Sequence, residues 1–317
     1  MESMAIVQAP PVFLDREKTL ERAVQYIEEA AGQGARLVAF PEAYVPGYPA
    51  WVWRLRPGGD WGLCESLHDR LLDQAVDIDR GDLAPLYEAA KRHEITVLCG
   101  IDERDGDLSR NTLYNSYVVI GPDGVLQNHH RKLMPTNPER MVWGFGDASG
   151  VNVVDTPCGR VGSLICWENY MPLARYALYA QGVDIYFAPT YDSGDDWVSS
   201  LRHIAREAGC WVVGSGNLLR GSDMQVDIEG ATELYPDADE WVNPGDSVII
   251  APGGEIVAGP LHKEQGILYA DVDLDRIGPS RRTLDIVGHY SRPDIFNLNV
   301  NRQQQSPVTF DDGITRA

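Results

Sequence analysis

The chain predicts an α/β fold, a mixed sheet with its helices outside, and three observations carry that reading. Short apolar runs alternate with segments of helical periodicity, the pattern of strands that feed helices. Gly- and Pro-containing hairpin turns interrupt the alternation, so antiparallel pairs must join the parallel ones. The 317 residues are 44% hydrophobic, enough for a large core, and no repeat, low-complexity tract or linker divides them. One domain over residues 1–300 is therefore expected. The polar remainder, from Asn301 to Ala317, reads as a mobile or partner-bound tail.

The elements follow in order. Ala5 to Gln8 is a short buried strand. Asp15 caps a helix whose Leu20, Ala23, Val24, Ile27 and Ala31 share one face, and Gly32 and Gly34 end it. Leu37 to Phe40 is the next strand. Pro46 to Asp60, rich in Pro, Gly and Trp, predicts a loop over a cleft beside Glu42. A helix around Leu83 to His93 feeds a strand from Ile95 to Ile101. Leu113–Ile120 and Val125–His130 flank Pro122-Asp-Gly, where Pro sets one φ and Gly permits a positive one. A second hairpin joins Val151–Val154 to Val161–Ile165 across Thr156-Pro-Cys-Gly. A helix over about Pro172–Ala180, a strand over Ile185–Ala188, a helix over Trp197–Ala208 and a strand from Trp211 come next. Val248–Ala251 and Ile256–Ala258, turned by Pro252-Gly-Gly, make a third hairpin.

Composition narrows the partners. A formal net charge of −20 opposes nucleic acid and anionic membranes, and suits a small neutral substrate. The start, Met1-Glu-Ser-Met-Ala, has no basic region leading an apolar stretch, so no signal peptide is read. No run approaches the roughly 18 apolar residues of a membrane helix. The cysteines, at 64, 99, 158, 166 and 210, are odd in number and form no Cys-x-x-Cys pair. That is the usage of a reducing compartment, and a cytoplasmic protein is expected.

Three strand exits carry side chains able to do chemistry. Gly162-Ser-Leu-Ile-Cys-Trp-Glu-Asn-Tyr-Met-Pro places Cys166 where an apolar run turns towards a helix. Leu37-Val-Ala-Phe-Pro-Glu-Ala ends on Glu42, and His129-His-Arg-Lys-Leu-Met-Pro-Thr ends near Lys132. A thiol, a carboxylate and an ammonium at separate strand mouths make a plausible nucleophile, base and electrostatic stabiliser. Taken singly, each has a bland reading. A lone strand-end Cys is usually buried filler, as Cys99 and Cys210 suggest; Glu42 could be a solvated loop carboxylate and Lys132 part of a solvated basic edge. Metal and cofactor readings fail on spacing. His129 and His130 are adjacent and must face opposite ways, and no His-Glu-x-x-His or phosphate loop occurs. No cofactor and no metal are expected.

Together the three blocks resemble the signature blocks of the nitrilase superfamily, in the same order. Cys-Trp-Glu-Asn is similar to the block of true nitrilases, since amidase and carbamoylase branches usually carry other residues after the cysteine. The likeness runs from Ala5-Ile-Val-Gln-Ala to His289-Tyr-Ser-Arg-Pro-Asp-Ile-Phe. It implies a four-layer αββα sandwich and a triad in which Cys166 attacks, Glu42 is the base and Lys132 stabilises developing charge. The implied reaction converts an organic nitrile to the carboxylic acid and ammonia through a thioimidate and a thioester. A cyanide-degrading enzyme, or an amidase or carbamoylase of the same superfamily, stays open as an alternative. Outside catalysis on nitriles, a non-catalytic assembly protein and a redox-sensing thiol are the competing classes.

The same resemblance reaches further residues. Pro138-Glu-Arg-Met-Val-Trp-Gly-Phe-Gly-Asp is similar to a loop in which the family carries a second glutamate near the lysine, which assigns Glu139 to orienting Lys132. The competing reading is a surface salt bridge to Arg140. Glu168 reads as a structural brace behind the nucleophile. Tyr48, Trp51, Trp53, Trp167, Tyr191 and Trp197 are candidates to line an apolar pocket. A homodimer or larger homo-oligomer is expected, on family grounds and because Leu173, Tyr176, Ala177, Leu178 and Tyr179 spread apolar surface beyond one helical stripe.

Overall fold

The computed structural model describes residues 2–56, 58–106 and 109–308; the last part of the polar tail, 309–317, lies outside them. In chain order the strands and helices are β1 (Glu2–Gln8), α1 (Arg16–Gly32), β2 (Ala35–Ala39), α2 (Trp61–Gln74), α3 (Ala84–His93), β3 (Thr96–Arg104), β4 (Leu113–Ile120), β5 (Leu126–Arg131), β6 (Val153–Thr156), β7 (Gly159–Ser163), α4 (Pro172–Tyr179), β8 (Ile185–Thr190), α5 (Asp195–Ala208), β9 (Trp211–Gly216), β10 (Leu218–Arg220), β11 (Trp241–Ile250), β12 (Ile256–His262), β13 (Gly266–Val272) and α6 (Ile277–Thr283). They form two mixed sheets, ordered β13-β1-β2-β3-β4-β5 and β10-β11-β9-β8-β7-β6, with β12 added on β11. The middle of each sheet is parallel, β1-β2-β3 in one and β7-β8-β9 in the other.

Period-two alternation builds the layers. Met4 and Ile6 of β1, Leu37 and Ala39 of β2, and Ile185 and Phe187 of β8 pack into one cluster between the two sheets. The residues between them face outward. Ala5, Val7 and Val38 meet Leu20, Ala23 and Ile27 of α1 and Leu86 and Ala89 of α3. Tyr186 and Ala188 meet Leu178 of α4 and Trp197, Leu201 and Ile204 of α5. Helix, sheet, sheet, helix is the resulting order, the αββα sandwich that the resemblance implied. Both strand faces are apolar because both are covered.

Most expected elements stand where the pattern puts them. Asp15 caps α1, its Oδ1 accepting from the Lys18 N–H at 3.0 Å. The β4–β5 turn sets Gly124 at φ 78°. Other elements gave no clear signal. Helix α2 buries only Leu67 and Leu71, a stripe too narrow to read. Strand β11 begins at Trp241 and runs through Pro244 and Gly245, which read as breakers; Pro244 stands at the end of the β10–β11 ladder, opposite Leu218. Strands β10 and β13 and helix α6 also lay outside the expected set. The expected Pro46–Asp60 loop is buried over Pro46–Val52, and its described residues after Val52 are mostly exposed. Its Ala50–Trp53 turn buries Trp51 in a fourth cluster with Leu67, Leu71 and Trp143. Among the described residues no helix is long and apolar enough to cross a membrane. The described part of the tail is exposed, with the Gln305 N–H donating to Asp147 Oδ2 at 2.7 Å.

Candidate active site

Glu42 follows β2 and Pro41, and the chain there runs hard against β3. A Cβ at Gly100 would lie 2.2 Å from the Pro41 carbonyl oxygen, so glycine is what lets β3 back the strand exit. Lys132 follows β5, held by its N–H on the Asn115 carbonyl at 2.8 Å. Cys166 opens the short turn Cys166–Tyr170 after β7, at φ 53°. That left-handed conformation is uncommon for a non-glycine residue, and strained residues of this kind cluster at functional sites. The Asn169 side chain fixes the turn, donating to the carbonyls of Cys166 at 2.7 Å and Leu164 at 2.9 Å.

The two sheets bring these groups to one buried cluster. Lys132 Nζ donates to Glu42 Oε1 at 2.7 Å and to Glu139 Oε2 at 2.8 Å. Glu42 Oε1 also accepts from Asn115 Nδ2 at 2.7 Å, and Oε2 from the Tyr191 N–H at 2.6 Å. Glu139 Oε2 accepts from the Thr136 N–H at 2.6 Å, and Oε1 from the Tyr48 hydroxyl at 2.7 Å. Arg140 takes no part; its Nε donates to the Pro135 carbonyl, so the surface pair once open for Glu139 is absent. The Thr190 hydroxyl lies 3.3 Å from Cys166 Sγ and donates to it. All three members of the Lys132 cluster are at most 1% exposed, so solvent cannot screen them.

Burial and charge oppose each other across this cluster. Burial is the largest influence on Glu42 and raises its carboxyl, as Glu139 does, against the pull of Lys132. Burial pushes Lys132 towards neutrality, yet Glu42, Cys166 and Glu139 together outweigh it and hold the ammonium above its ordinary range. Burial, then Glu42, push the Cys166 thiol up, and Lys132 opposes them. The resting site is thus a thiol beside an ammonium, with a carboxyl inclined to take a proton.

A cavity of about 230 Å³ opens onto Cys166 and Glu139, walled by Tyr48, Trp53, Trp167 and Tyr191. Two candidate aromatics lie elsewhere. Trp51 packs on Phe13 in the loop cluster, and Trp197 is buried on the sheet-facing side of α5. A second cavity of about 210 Å³ lies behind Trp51 and Met141; it contains Cys64 and His68 but no lysine. The adjacent histidines diverge, His129 to Glu103 and His130 to Glu168. Sequence reasoning overlooked Asn115, Thr190 and the Tyr191 N–H. A signal existed for two of them: Asn115 is a polar residue inside an apolar strand, and Thr190 ends β8 as Glu42 and Cys166 end theirs.

A fold of this architecture with an acid, an ammonium and a thiol converging at strand exits defines a class, and the family is plain from the sequence. The chain belongs to the carbon-nitrogen hydrolase family, whose model matches residues 3–282. Nitrilase 3 of Arabidopsis thaliana is 39% identical, over 99% of this chain and 91% of its own length. A bifunctional nitrilase/nitrile hydratase of Lupinus angustifolius is also 39% identical, over 98% of this chain and 89% of its own. Among solved structures, the C. elegans NitFhit protein has a TM-score of 0.71 at 21% identity, covering 96% of this chain and 68% of that one. A carbon-nitrogen hydrolase from Helicobacter pylori has a TM-score of 0.69 at 20% identity, covering 92% of this chain and 96% of that one.

Proposed function

We propose that this protein is a nitrilase, hydrolysing a small neutral organic nitrile to the carboxylic acid and ammonia. The observation that carries this is Lys132 bound between Glu42 and Glu139 beside a strained, buried Cys166. Glu42 takes the thiol proton as sulfur attacks the nitrile carbon and passes it to the nitrogen, giving a thioimidate and a free carboxylate. Water adds to the C=N carbon, its proton passing through Glu42. Expulsion of ammonia leaves a thioester, which a second water opens to release the acid and restore the thiol. Lys132 stabilises charge developing on the substrate nitrogen and then oxygen, a contribution of about 3 kcal/mol for such a donor. Glu139 holds Lys132 towards the cavity.

The tetrahedral intermediate has two exits. If the C–S bond breaks before ammonia leaves, amide is the product. That second outcome is supported by relatives whose names couple nitrilase with nitrile hydratase. The deciding experiment is a panel of aliphatic, aromatic and arylacetonitrile substrates plus HCN, scored together for ammonia, acid and amide, with matched amides alongside. Turnover of amides but no nitrile would move the protein to the amidase reading.

The protein is read as a cytoplasmic homo-oligomer. Five unpaired cysteines support a reducing compartment. On α4, Ala174, Leu178 and Tyr179 face the sheet while Leu173 is 68% exposed. Ile286 and Val287 cover part of the remaining face, and a second subunit would cover Leu173.

A further inference from the structure

We propose that Glu168 is a positioning residue that holds Lys132 and Cys166 in register across the two sheets, by tying the backbone beside each to one carboxylate. Leu133, the residue after Lys132, donates its N–H to Glu168 Oε1 at 2.6 Å. Ile165, the residue before Cys166, donates its N–H to Oε2 at 2.5 Å. The third donor is His130 Nε2, at 3.2 and 3.1 Å from the two oxygens. His130 lies on β5, two residues before Lys132. The side chains of Glu168 and His130 are both 0% exposed.

A local brace explains only one of these contacts. A glutamate at the third position of a helical turn commonly reaches back to the N–H at its start, which accounts for Ile165. The donors just after and on β5, Leu133 and His130, stand 35 and 38 residues away in the chain, and no local capping rule supplies them. They matter because Lys132 and Cys166 exit different sheets. Backbone ladders fix each residue within its own sheet, while contacts through side chains fix one sheet against the other, the bond from the Tyr191 N–H to Glu42 Oε2 among them. The apolar packing of the cluster between the sheets, which holds Tyr117 and Phe187, is non-directional. A carboxylate bound to N–H groups on both sides is short and directional. Displacements of about 1 Å between reacting groups cost on the order of a hundredfold in rate, so a device that removes this freedom acts on turnover.

This inference rests on the proposed roles of Lys132 and Cys166, and its test is chosen to be independent of substrate. In Glu168→Gln, one oxygen becomes an NH₂ that cannot accept from either backbone N–H. The primary readout is the pH dependence of Cys166 alkylation by iodoacetamide, followed on the Cys166 peptide by mass spectrometry. With Lys132 no longer held beside the thiolate, alkylation at neutral pH should fall by at least about threefold and the profile move to higher pH. On the best nitrile of the panel, kcat should fall by roughly thirtyfold with KM within about threefold. A folded Glu168→Gln protein whose alkylation profile and kcat both match the parent would overturn the proposal. If that variant does not fold, His130→Leu carries the test, because it removes one donor and keeps both backbone ties. A smaller shift in the same direction, recovered in His130→Gln, is expected; an unchanged profile in His130→Leu overturns the proposal equally. A parent enzyme that hydrolysed no nitrile would instead refute the assigned reaction, and the alkylation comparison would still report on Glu168.

Discussion

Tyr48 and Tyr191 lie face to face, their ring centroids 3.8 Å apart and their planes within 7°. Each also holds one of the two carboxylates: the Tyr48 hydroxyl donates to Glu139, and the Tyr191 N–H to Glu42. Trp53 Nε1 donates to the Tyr48 oxygen at 3.0 Å, closing the wall from the solvent side. The stack, worth about 1 kcal/mol beyond its burial, thus joins a cavity wall to the carboxylates on either side of Lys132. Substrate contact and proton chemistry share a surface.

The first prediction concerns the wall. Tyr48→Phe keeps the ring and removes the hydrogen bond to Glu139, leaving one oxygen of a buried carboxylate short of a donor. Stability should drop by about 1–2 kcal/mol, and kcat by about tenfold through Lys132. Steady-state kinetics on the variant at a temperature where it is folded is the check; normal kcat would show that Glu139 does not need Tyr48.

Cys166→Ala should abolish turnover with little effect on folding, because a small side chain replaces a small side chain. Cys64→Ala and Cys158→Ala should keep most activity, since neither residue lines the triad cavity. Substantial residual hydrolysis in the Cys166 variant would remove the nucleophile from the proposal.

Glu42→Gln and Lys132→Met should each lower kcat/KM at least about a hundredfold. They should differ in stability. Lys132→Met leaves Glu42 and Glu139 buried together without a cation, a loss of roughly 3–5 kcal/mol near neutral pH. Acidification should recover part of it, because protonating either carboxyl relieves the repulsion. Thermal melts of both variants at acid and neutral pH measure this difference.

The acid limb of kcat/KM should fall above the ordinary carboxylate range. Burial raises the Glu42 carboxyl despite Lys132, so the base is lost to protonation at a higher pH than an exposed glutamate would be. A pH profile of the parent enzyme with an acid limb at or below the ordinary range would contradict that role.

Away from the site, Glu103 should stabilise the fold with the opposite sign. Burial alone would raise its carboxyl, but His129 and Arg131 outweigh it and bring the value to about 2. Its contribution, on the order of 3 kcal/mol, is present above the ordinary glutamate pKa of about 4.3 and fades as pH falls towards 2. The stability gap between the parent and Glu103→Gln should therefore hold near pH 6 and shrink as pH falls from about 4.3 to 3 in denaturant titrations.

How much of this was legible in the sequence varies with what each feature depends on. The layers were, because Met4-Ala-Ile-Val and Leu37-Val-Ala carry apolar residues at every position, and only a strand covered on both faces needs that. The three strand exits were too, because Pro41, the turn after β7 and the basic end of β5 break apolar runs at Glu42, Cys166 and Lys132. Strand β11 was legible only in its second half, where Val248–Ile250 forms the expected hairpin with β12; its start at Trp241 was not, because Pro244 and Gly245 break the local pattern and pairing with β10 makes a strand of it.

Local periodicity by itself determined an α/β fold with a mixed sheet and the Asp15 cap, while the αββα order and the choice of Glu42, Lys132 and Cys166 rested on the likeness of three sequence blocks to the nitrilase superfamily. Only the tertiary structure decided which of those side chains meet. Trp51 and Trp53 are two residues apart, yet one is sealed in a loop cluster and the other walls the cavity. Glu168 sits three residues from Ile165, but its bonds to Leu133 and His130 depend on how one sheet lies against the other. The physical reason is range. Propensity, capping and period are set by neighbours within a turn, whereas the buried site is set by strand order within one sheet and by the packing of the second sheet on it, neither of which a short window of sequence contains.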